Sequence, residues 1–405
     1  METLFSNKNI INRNLYLQRL IPFIGKSIIK VFTGQRRVGK SFLLYQIMNY
    51  IKEKDNTANI IYVNKEDLRF SHIKNSNDLN EYIQQHIKPK LLNYIFIDEI
   101  QDIDDFAIAL RSLLLKDNID IYCTGSNANL LSADIAGYLS GRYIEINIYS
   151  LTYTEFLNFH KLENNDDSLD KYLKYGGLPY LIHLPLIDDI VFEYLSNIYS
   201  TIIYKDVVNR YSIRNVTFLE QLVKFLADNT GSIFSAKKIS DFLLSQGIKV
   251  AANQVQKYIQ YLSNAFLINK VSRFDLVGKR IFEFGEKFYF ENLGIRHGIW
   301  GYRLEDKAKI LENVVFNHLI TQNYKVNVGN IGPYEIDFVT EKNGETEYYQ
   351  VTLHIHDSKT MEREMGNLKK IKNNYKKTVI TMDKYTGVSH EGIRIVDLRS
   401  FLSDD

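Results

Sequence analysis

Over its first 150 residues the chain alternates short β-branched runs with longer stretches whose apolar residues recur at helical spacing. SIIKVFTG (27–34) reads as a buried strand and SFLLYQIMNYIKEK (41–54) as a helix. NIIYVN (59–64), the run from Tyr94 to Ile97, IDIYC (119–123) and RYIEI (142–146) supply four more strands, with polar or helical segments between them. Strands separated by helices predict the α/β class: a parallel sheet with flanking helices over 1–150.

The pattern then changes three times. Residues 151–214 read as a helical lid, interrupted at YGGLPYL, where Gly176 and Gly177 stop a helix and Pro179 stiffens the turn. Residues 215–300 read as three helices followed by two extended runs. In the third, AANQVQKYIQYLSNAF, Val255, Ile259 and Leu262 form an apolar face and leave Gln254, Gln256, Lys257 and Gln260 on the others. This order resembles a winged helix, which serves either to enter the DNA major groove with its third helix or as a protein-binding or lid module. Glutamine suits an adenine edge and lysine a phosphate. Residues 301–405 return to α/β: a helix carrying Glu312, then strands joined by an Asn343-Gly344 hairpin turn. Glu335 and Asp337 share one strand face, and Gln350, Thr352 and His354 share a face of the next.

The junction VFTGQRRVGKSF carries the first candidate chemistry. Gly34, Gln35, Arg36, Arg37, Val38, Gly39, Lys40 and Ser41 complete a G-x-x-x-x-G-K-S phosphate-binding pattern, with Phe42 opening the helix. Glycines let the backbone N–H groups converge on an anion at the positive end of that helix. Lys40 is expected to reach the β- and γ-phosphates of ATP, and Ser41 to hold Mg²⁺. At the end of the third strand stand Asp98 and Glu99. Two adjacent carboxylates at the end of a buried strand call for a cation. Asp98 is therefore expected to hold Mg²⁺ with Ser41, and Glu99 to polarise the attacking water. The fourth strand ends in Thr124, Ser126 and Asn127, polar groups placed to line the same crevice; Asn127 or Ser126 would sense the γ-phosphate, or the cluster simply starts a helix. Arg142 begins the fifth strand and is expected either to approach the phosphates, in cis or from a neighbouring subunit, or to be a plain surface arginine.

Composition adds limits. Lys and Arg total 50 against 48 Asp and Glu, so no global field marks a nucleic-acid binder. A single cysteine, Cys123, excludes an internal disulfide framework, and its apolar neighbours predict an inert thiol. No apolar run is long enough to span a bilayer and the first residues lack a secretory h-region, so the expectation is a cytoplasmic protein without a membrane partner.

RNLYLQRLIPFI, GQRRVGKSFLL, IFIDEIQ, TGSNANLL, SGRYIEI and LTYTEFL occur in the order found in a family of bacterial and archaeal AAA-type P-loop ATPases. The chain resembles that family, the AAA_14-like kind with a C-terminal DUF4143-type domain. The resemblance implies ATP binding and hydrolysis through Lys40, Ser41, Asp98, Glu99 and the region of Ser126 and Asn127. It also matches the paired Arg36 and Arg37, whose role stays open, and makes Pro179 a candidate nucleotide contact, although a plain turn accounts for it as well. Residues 301–405 resemble a PD-(D/E)xK nuclease fold, in which Glu312, Asp337 and Gln350 match the metal-holding positions and Thr352 stands where the lysine belongs. That departure favours a domain that binds DNA or a protein partner over an active nuclease. His354 and His356 have a spacing that permits a metal but read more simply as exposed polar residues. Oligomer formation is compatible with all of this.

Overall fold

The structure is a computed structural model that describes residues 10–131, 137–139, 141–276, 278, 281–355, 365–384 and 388–404. The chain divides into two compact units, Met1–Tyr149 with Asn264–Phe266, and Ser150–Ser263 with Leu267–Asp405.

In the first unit β1 (Ile29–Thr33), β2 (Asn59–Asn64), β3 (Asn93–Asp98), β4 (Ile119–Gly125) and β5 (Tyr143–Asn147) form a five-stranded parallel sheet in the order β2-β3-β4-β1-β5. Helices Lys40–Lys54, Ser76–His86 and Phe106–Leu113 join its strands. A sheet covered on both faces demands continuous rather than alternating apolar strands, and β1, β3 and β4 are buried at every position. Ile29, Val31, Ile61, Val63, Ile95, Ile97 and Ile121 pack in one cluster with the flanking helices. Cys123 belongs to the same cluster, and burial pushes its thiol up to about 12, which removes thiolate chemistry at neutral pH.

One charged pair lies inside this apolar layer. Lys30 of β1 donates to Asp120 of β4, both fully buried. Asp120 also accepts from the Gly25 N–H at 2.7 Å and the Tyr122 hydroxyl at 2.8 Å, while Lys30 donates to the Lys26 carbonyl at 2.9 Å. A buried ion pair survives where its remaining donors and acceptors are met, and here they are.

Asn264–Phe266 complete the first unit: the Phe266 carbonyl accepts from Gln35 Nε2 at 2.9 Å.

The second unit begins with helices Tyr153–His160, Asp166–Tyr175 and Asp188–Thr201, the last running on as a π-helix over Ile202–Asn209. Helices Val216–Asp228, Ala236–Ser245 and Ala252–Asn264 follow. In the third of these Val255, Ile259 and Leu262 are buried and Gln256, Lys257 and Gln260 exposed. Gly176 and Gly177 are set by close packing. A Cβ on Gly176, which has φ +71°, would lie 2.6 Å from Asn292, and one on Gly177 would lie 2.4 Å from the Leu151 carbonyl.

β6 (Ile268–Asp275) and β7 (Ile281–Phe290) form an antiparallel pair. β8 (Lys325–Ile331), β9 (Tyr334–Lys342), β10 (Glu345–Thr352), β11 (Lys376–Thr381), β12 (Val388–His390) and β13 (Ile393–Asp397) join them in one sheet, ordered β12-β13-β11-β10-β9-β8-β6-β7. This corrects the division drawn at residue 300. β6 pairs in parallel with β8, so the two extended runs of 215–300 and the strands of 301–405 share a single sheet. Helix Lys307–Thr321 covers the edge strand β7: Asn313 Oδ1 accepts from the Phe290 N–H at 2.9 Å and Asn313 Nδ2 donates to the Phe290 carbonyl at 2.8 Å. The amide thus satisfies an edge that would otherwise stay unpaired.

Candidate active site

All five strands of the first sheet run the same way, so their C-terminal ends share one rim. β1 leaves that rim into residues 34–39, and the Lys40–Lys54 helix follows at once. Gly34 turns at φ +147°, and a Cβ there would lie 2.1 Å from the Ile148 carbonyl, so only glycine fits. Arg37 and Gly39 also take positive φ, at 68° and 99°. The loop curls back over its own lysine: Lys40 Nζ, buried, donates to the Gly34 and Gln35 carbonyls at 2.9 Å each. Arg13, 4% exposed, braces the loop from outside, donating at 3.0 Å to the Val38 carbonyl and at 2.9 Å to the Tyr149 carbonyl.

Because β4 lies between β1 and β3, the end of β4 stands between the loop and the Asp98–Glu99 pair. Thr124 uses that place. Its hydroxyl donates to Asp98 Oδ1 and accepts from the Glu99 N–H at 2.9 Å. Tyr62 of β2 donates to Asp98 Oδ2 at 3.2 Å. Glu99 turns the chain at φ 56°, and Gln101 Nε2 donates to its carboxylate.

The two carboxylates differ. Burial pushes Asp98 above the usual range, opposed by hydrogen bonds from Thr124 and Ser41. Burial pushes Glu99 up as well, but Lys40, the Gln101 amide and Arg36 outweigh it and hold it below its ordinary value. Burial thus disfavours the charge on Asp98, whereas Glu99 stays ionised. The oxygen donors Ser41 and Asp98 suit Mg²⁺. The Gln101 Oε1 atom is buried with no hydrogen-bond partner among the described residues, which fits a water beside Glu99.

Gly34, Gln35, Arg36, Val38, Gly39, Lys40 and Ser41 therefore surround one turn of chain, and Ser126 and Asn127 are buried at the end of β4. Arg37 is exposed, and Phe42, 49% exposed, stands edge-on to Tyr45. Arg142 does not join them. Its carbonyl accepts from the Ile29 N–H at 2.9 Å, at the start of β1, whereas the phosphate loop leaves the other end. The expectation that Arg142 reaches the phosphates in cis is corrected by that register. Pro179 lies in the second unit, opening the short helix Pro179–His183. Arg13, Tyr62 and Gln101 escape the sequence pattern because each acts from outside the phosphate-binding motif.

In the second unit Gln350 stands beside Asp337, its Oε1 accepting from the Asp337 N–H at 3.4 Å, and Asp337 accepts from the Val351 N–H at 2.8 Å. Between Asp337 and Glu312 lies a residue the sequence reading did not use. Lys287 of β7, 3% exposed, reaches Glu312 at 2.6 Å, Glu335 at 2.7 Å and Asp337 at 3.8 Å. Tyr289 donates to Glu312. Burial would lower Lys287, but the three carboxylates outweigh it and raise it; burial and Glu312 push Asp337 up. At the candidate metal site of Glu312, Asp337 and Gln350 the Lys287 ammonium thus stands beside the carboxylates, and among the described residues no group of three or more His, Cys, Asp or Glu is arranged to hold a metal. Thr352 donates to the His354 carbonyl at 3.5 Å, and His354 pairs with Asp383 at 2.8 Å. His356 lies outside the described residues.

Sheet, loop and acidic strand end together define a P-loop nucleotide-binding protein of the AAA class. Residues 26–157 match the family model described as an AAA domain, and residues 166–306 match a domain of unknown function, DUF8612. The second match corrects the expectation of a DUF4143-type domain. An uncharacterized protein of Haemophilus influenzae is 36% identical over 398 residues, 96% of this chain and 98% of its own. The uncharacterized Methanocaldococcus jannaschii protein MJ1544 is 32% identical over 354 residues, 82% of this chain and 75% of its own. The chain belongs to this family of AAA-domain proteins. Among solved structures, the Aeropyrum pernix ORC1 protein in complex with DNA covers 73% of this chain and 94% of its own at 10% identity and a TM-score of 0.32. The replication initiator DnaA bound to AMPPCP and single-stranded DNA covers 63% and 89% at 16% identity and a TM-score of 0.32. Similarity at that level adds nothing to the topology described above. No helix among the described residues is long and apolar enough to cross a membrane.

Proposed function

We propose that the protein is an Mg²⁺-dependent ATPase. The observation that carries this reading is the Thr124 bridge: one hydroxyl fixes Asp98 and Glu99 together at the rim that also carries Lys40. Lys40 holds the β- and γ-phosphates within residues 34–41, Ser41 and Asp98 hold the metal, and Glu99 accepts the proton of the attacking water. Bound Mg²⁺ supplies Lewis acidity at the phosphate and cancels the charge that burial makes unfavourable on Asp98. Ser126 and Asn127 sense the γ-phosphate. An arginine from a neighbouring subunit, with Arg142 the first candidate, completes the site in an oligomer. Gln256, Lys257 and Gln260, on the exposed face of a winged helix, contact DNA or a protein partner, and Pro179 contacts the nucleotide. The corresponding parts are an ATPase at 1–150, a lid at 151–214 and, over 215–405, a winged helix and a partner-binding α/β segment that share one sheet. A nuclease has less support, since Glu312, Glu335 and Asp337 close on Lys287. A switch without turnover has less support because Glu99 is held ionised.

The test is steady-state ATP hydrolysis in Mg²⁺, with and without duplex and single-stranded DNA. Glu99→Gln is expected to bind ATP normally and lose at least about 100-fold in turnover, and Lys40→Ala to lose binding. Wild-type turnover that survives Lys40→Ala would remove the assignment. DNA stimulation selects nucleic acid as the partner; indifference to DNA selects a protein.

A further inference from the structure

On the face of β10 opposite the Lys287 cluster lies a cavity of about 430 Å³. Gln350, which faces Asp337, and Tyr349, which lines the cavity, are neighbours on one strand and point to opposite faces. Nothing in the proposed ATPase uses this cavity.

Its walls are aromatic. Tyr349 stands edge-on to Phe401 with ring centres 5.7 Å apart, and Phe401 meets the His318 ring at 4.9 Å. Tyr324 lines the same space, with the Lys342 ammonium 4.8 Å from its ring centre. Its charge is unbalanced. Four cations (Lys342, Lys376, Lys377 and Arg394) and two carboxylates (Glu347 and Asp404) line it, leaving two positive charges. Lys376 is held by Glu347 at 3.1 Å, whereas Lys342 and Arg394 have no carboxylate partner among the described residues. His318 adds an independent sign. It is 7% exposed, it lines the cavity, and its Nδ1 atom has no hydrogen-bond partner among the described residues. An unmet buried nitrogen is costly, and a ligand group that reached it would recover that cost.

We propose that this cavity is a second nucleotide site, which takes a nucleoside monophosphate. A base finds ring faces and edges in Tyr324, Tyr349 and Phe401, and its polar edge meets His318 Nδ1. The phosphate monoester, close to a dianion at neutral pH, matches the two uncompensated charges and is met by Lys342 and Arg394. The volume lies in the range of small-ligand pockets and leaves a triphosphate's extra charge unmatched. The same chemistry is presented by a free nucleotide and by the 5′-phosphorylated end of a strand; the free nucleotide is the occupant proposed.

The experiment is calorimetric titration of the full-length chain carrying Lys40→Ala, which silences the phosphate loop. AMP, GMP, CMP and UMP are titrated in turn, then adenosine, inorganic phosphate and a 5′-phosphorylated oligonucleotide. At least one monophosphate is expected to bind with a Kd below about 1 mM. Adding Lys342→Gln with Arg394→Gln should weaken it by about tenfold or more at an unchanged melting temperature. Tyr324→Ala should weaken the nucleotide and leave any phosphate binding as it was. No binding by any monophosphate overturns the proposal, as does phosphate binding as tightly as nucleotide, or affinity unmoved by the paired substitution. Tighter binding of the oligonucleotide, lost with that pair, upholds the site and makes a strand end its source.

Discussion

Thr124 shows how much one hydroxyl can do. It donates to Asp98 and accepts from the backbone of Glu99, so it couples the carboxylate proposed for the metal to the proposed base. Thr124→Val keeps the shape and removes both bonds, leaving the buried Glu99 N–H unmet. Stability should fall by about 1–3 kcal/mol. On the proposed ATPase reading turnover should fall much further than ATP affinity, since Thr124 acts through the two carboxylates. Chemical denaturation together with a comparison of kcat and nucleotide Kd separates the two effects; an unchanged kcat would sink the positioning role.

At the scale of elements, the Lys30–Asp120 pair joins β1 to β4 inside an apolar layer. Asp120→Ala leaves a buried ammonium without its partner and should cost about 3–5 kcal/mol, whereas Lys30→Met with Asp120→Leu should recover most of that. Urea unfolding of the two variants decides it; equal losses would mean the charge itself is unimportant. The strands and the loop were legible in the sequence because each is specified locally: β-branched runs, a glycine-bounded turn and an acidic strand end. What was not legible depends on register. Arg142 sits at the opening of β5 in both readings, but only the pairing with Ile29 shows which rim that is. Lys287 lies in an aromatic run, FEFGEKFYF, and reads as an ordinary strand lysine until β7 is brought against helix Lys307–Thr321.

For the molecule as a whole, pH acts unevenly. His297 and His318 in the second unit are buried and neutral, with burial pushing them down to about 3 and about 4. Unfolded, each titrates near 6.5. The unfolded chain therefore takes up protons that the folded chain refuses. Stability is complete above about pH 6.5 and falls toward the folded values by about 1.4 kcal/mol per pH unit for each histidine. Denaturant midpoints at pH 7 and pH 5 should differ accordingly, and His297→Gln with His318→Gln should shrink the difference. A gap of undiminished size in the double variant would refute that origin.

The return of the chain at Asn264–Phe266 has a consequence in time. During synthesis the five strands of the first unit are complete by Asn147, yet Gln35 receives its carbonyl partner only with Phe266. A nascent chain stalled between those points carries all five strands and a phosphate loop braced by Arg13 but still without the Gln35–Phe266 bond. The growing polypeptide thus acquires this loop restraint more than two hundred residues after the motif itself has emerged, an order the linear sequence conceals.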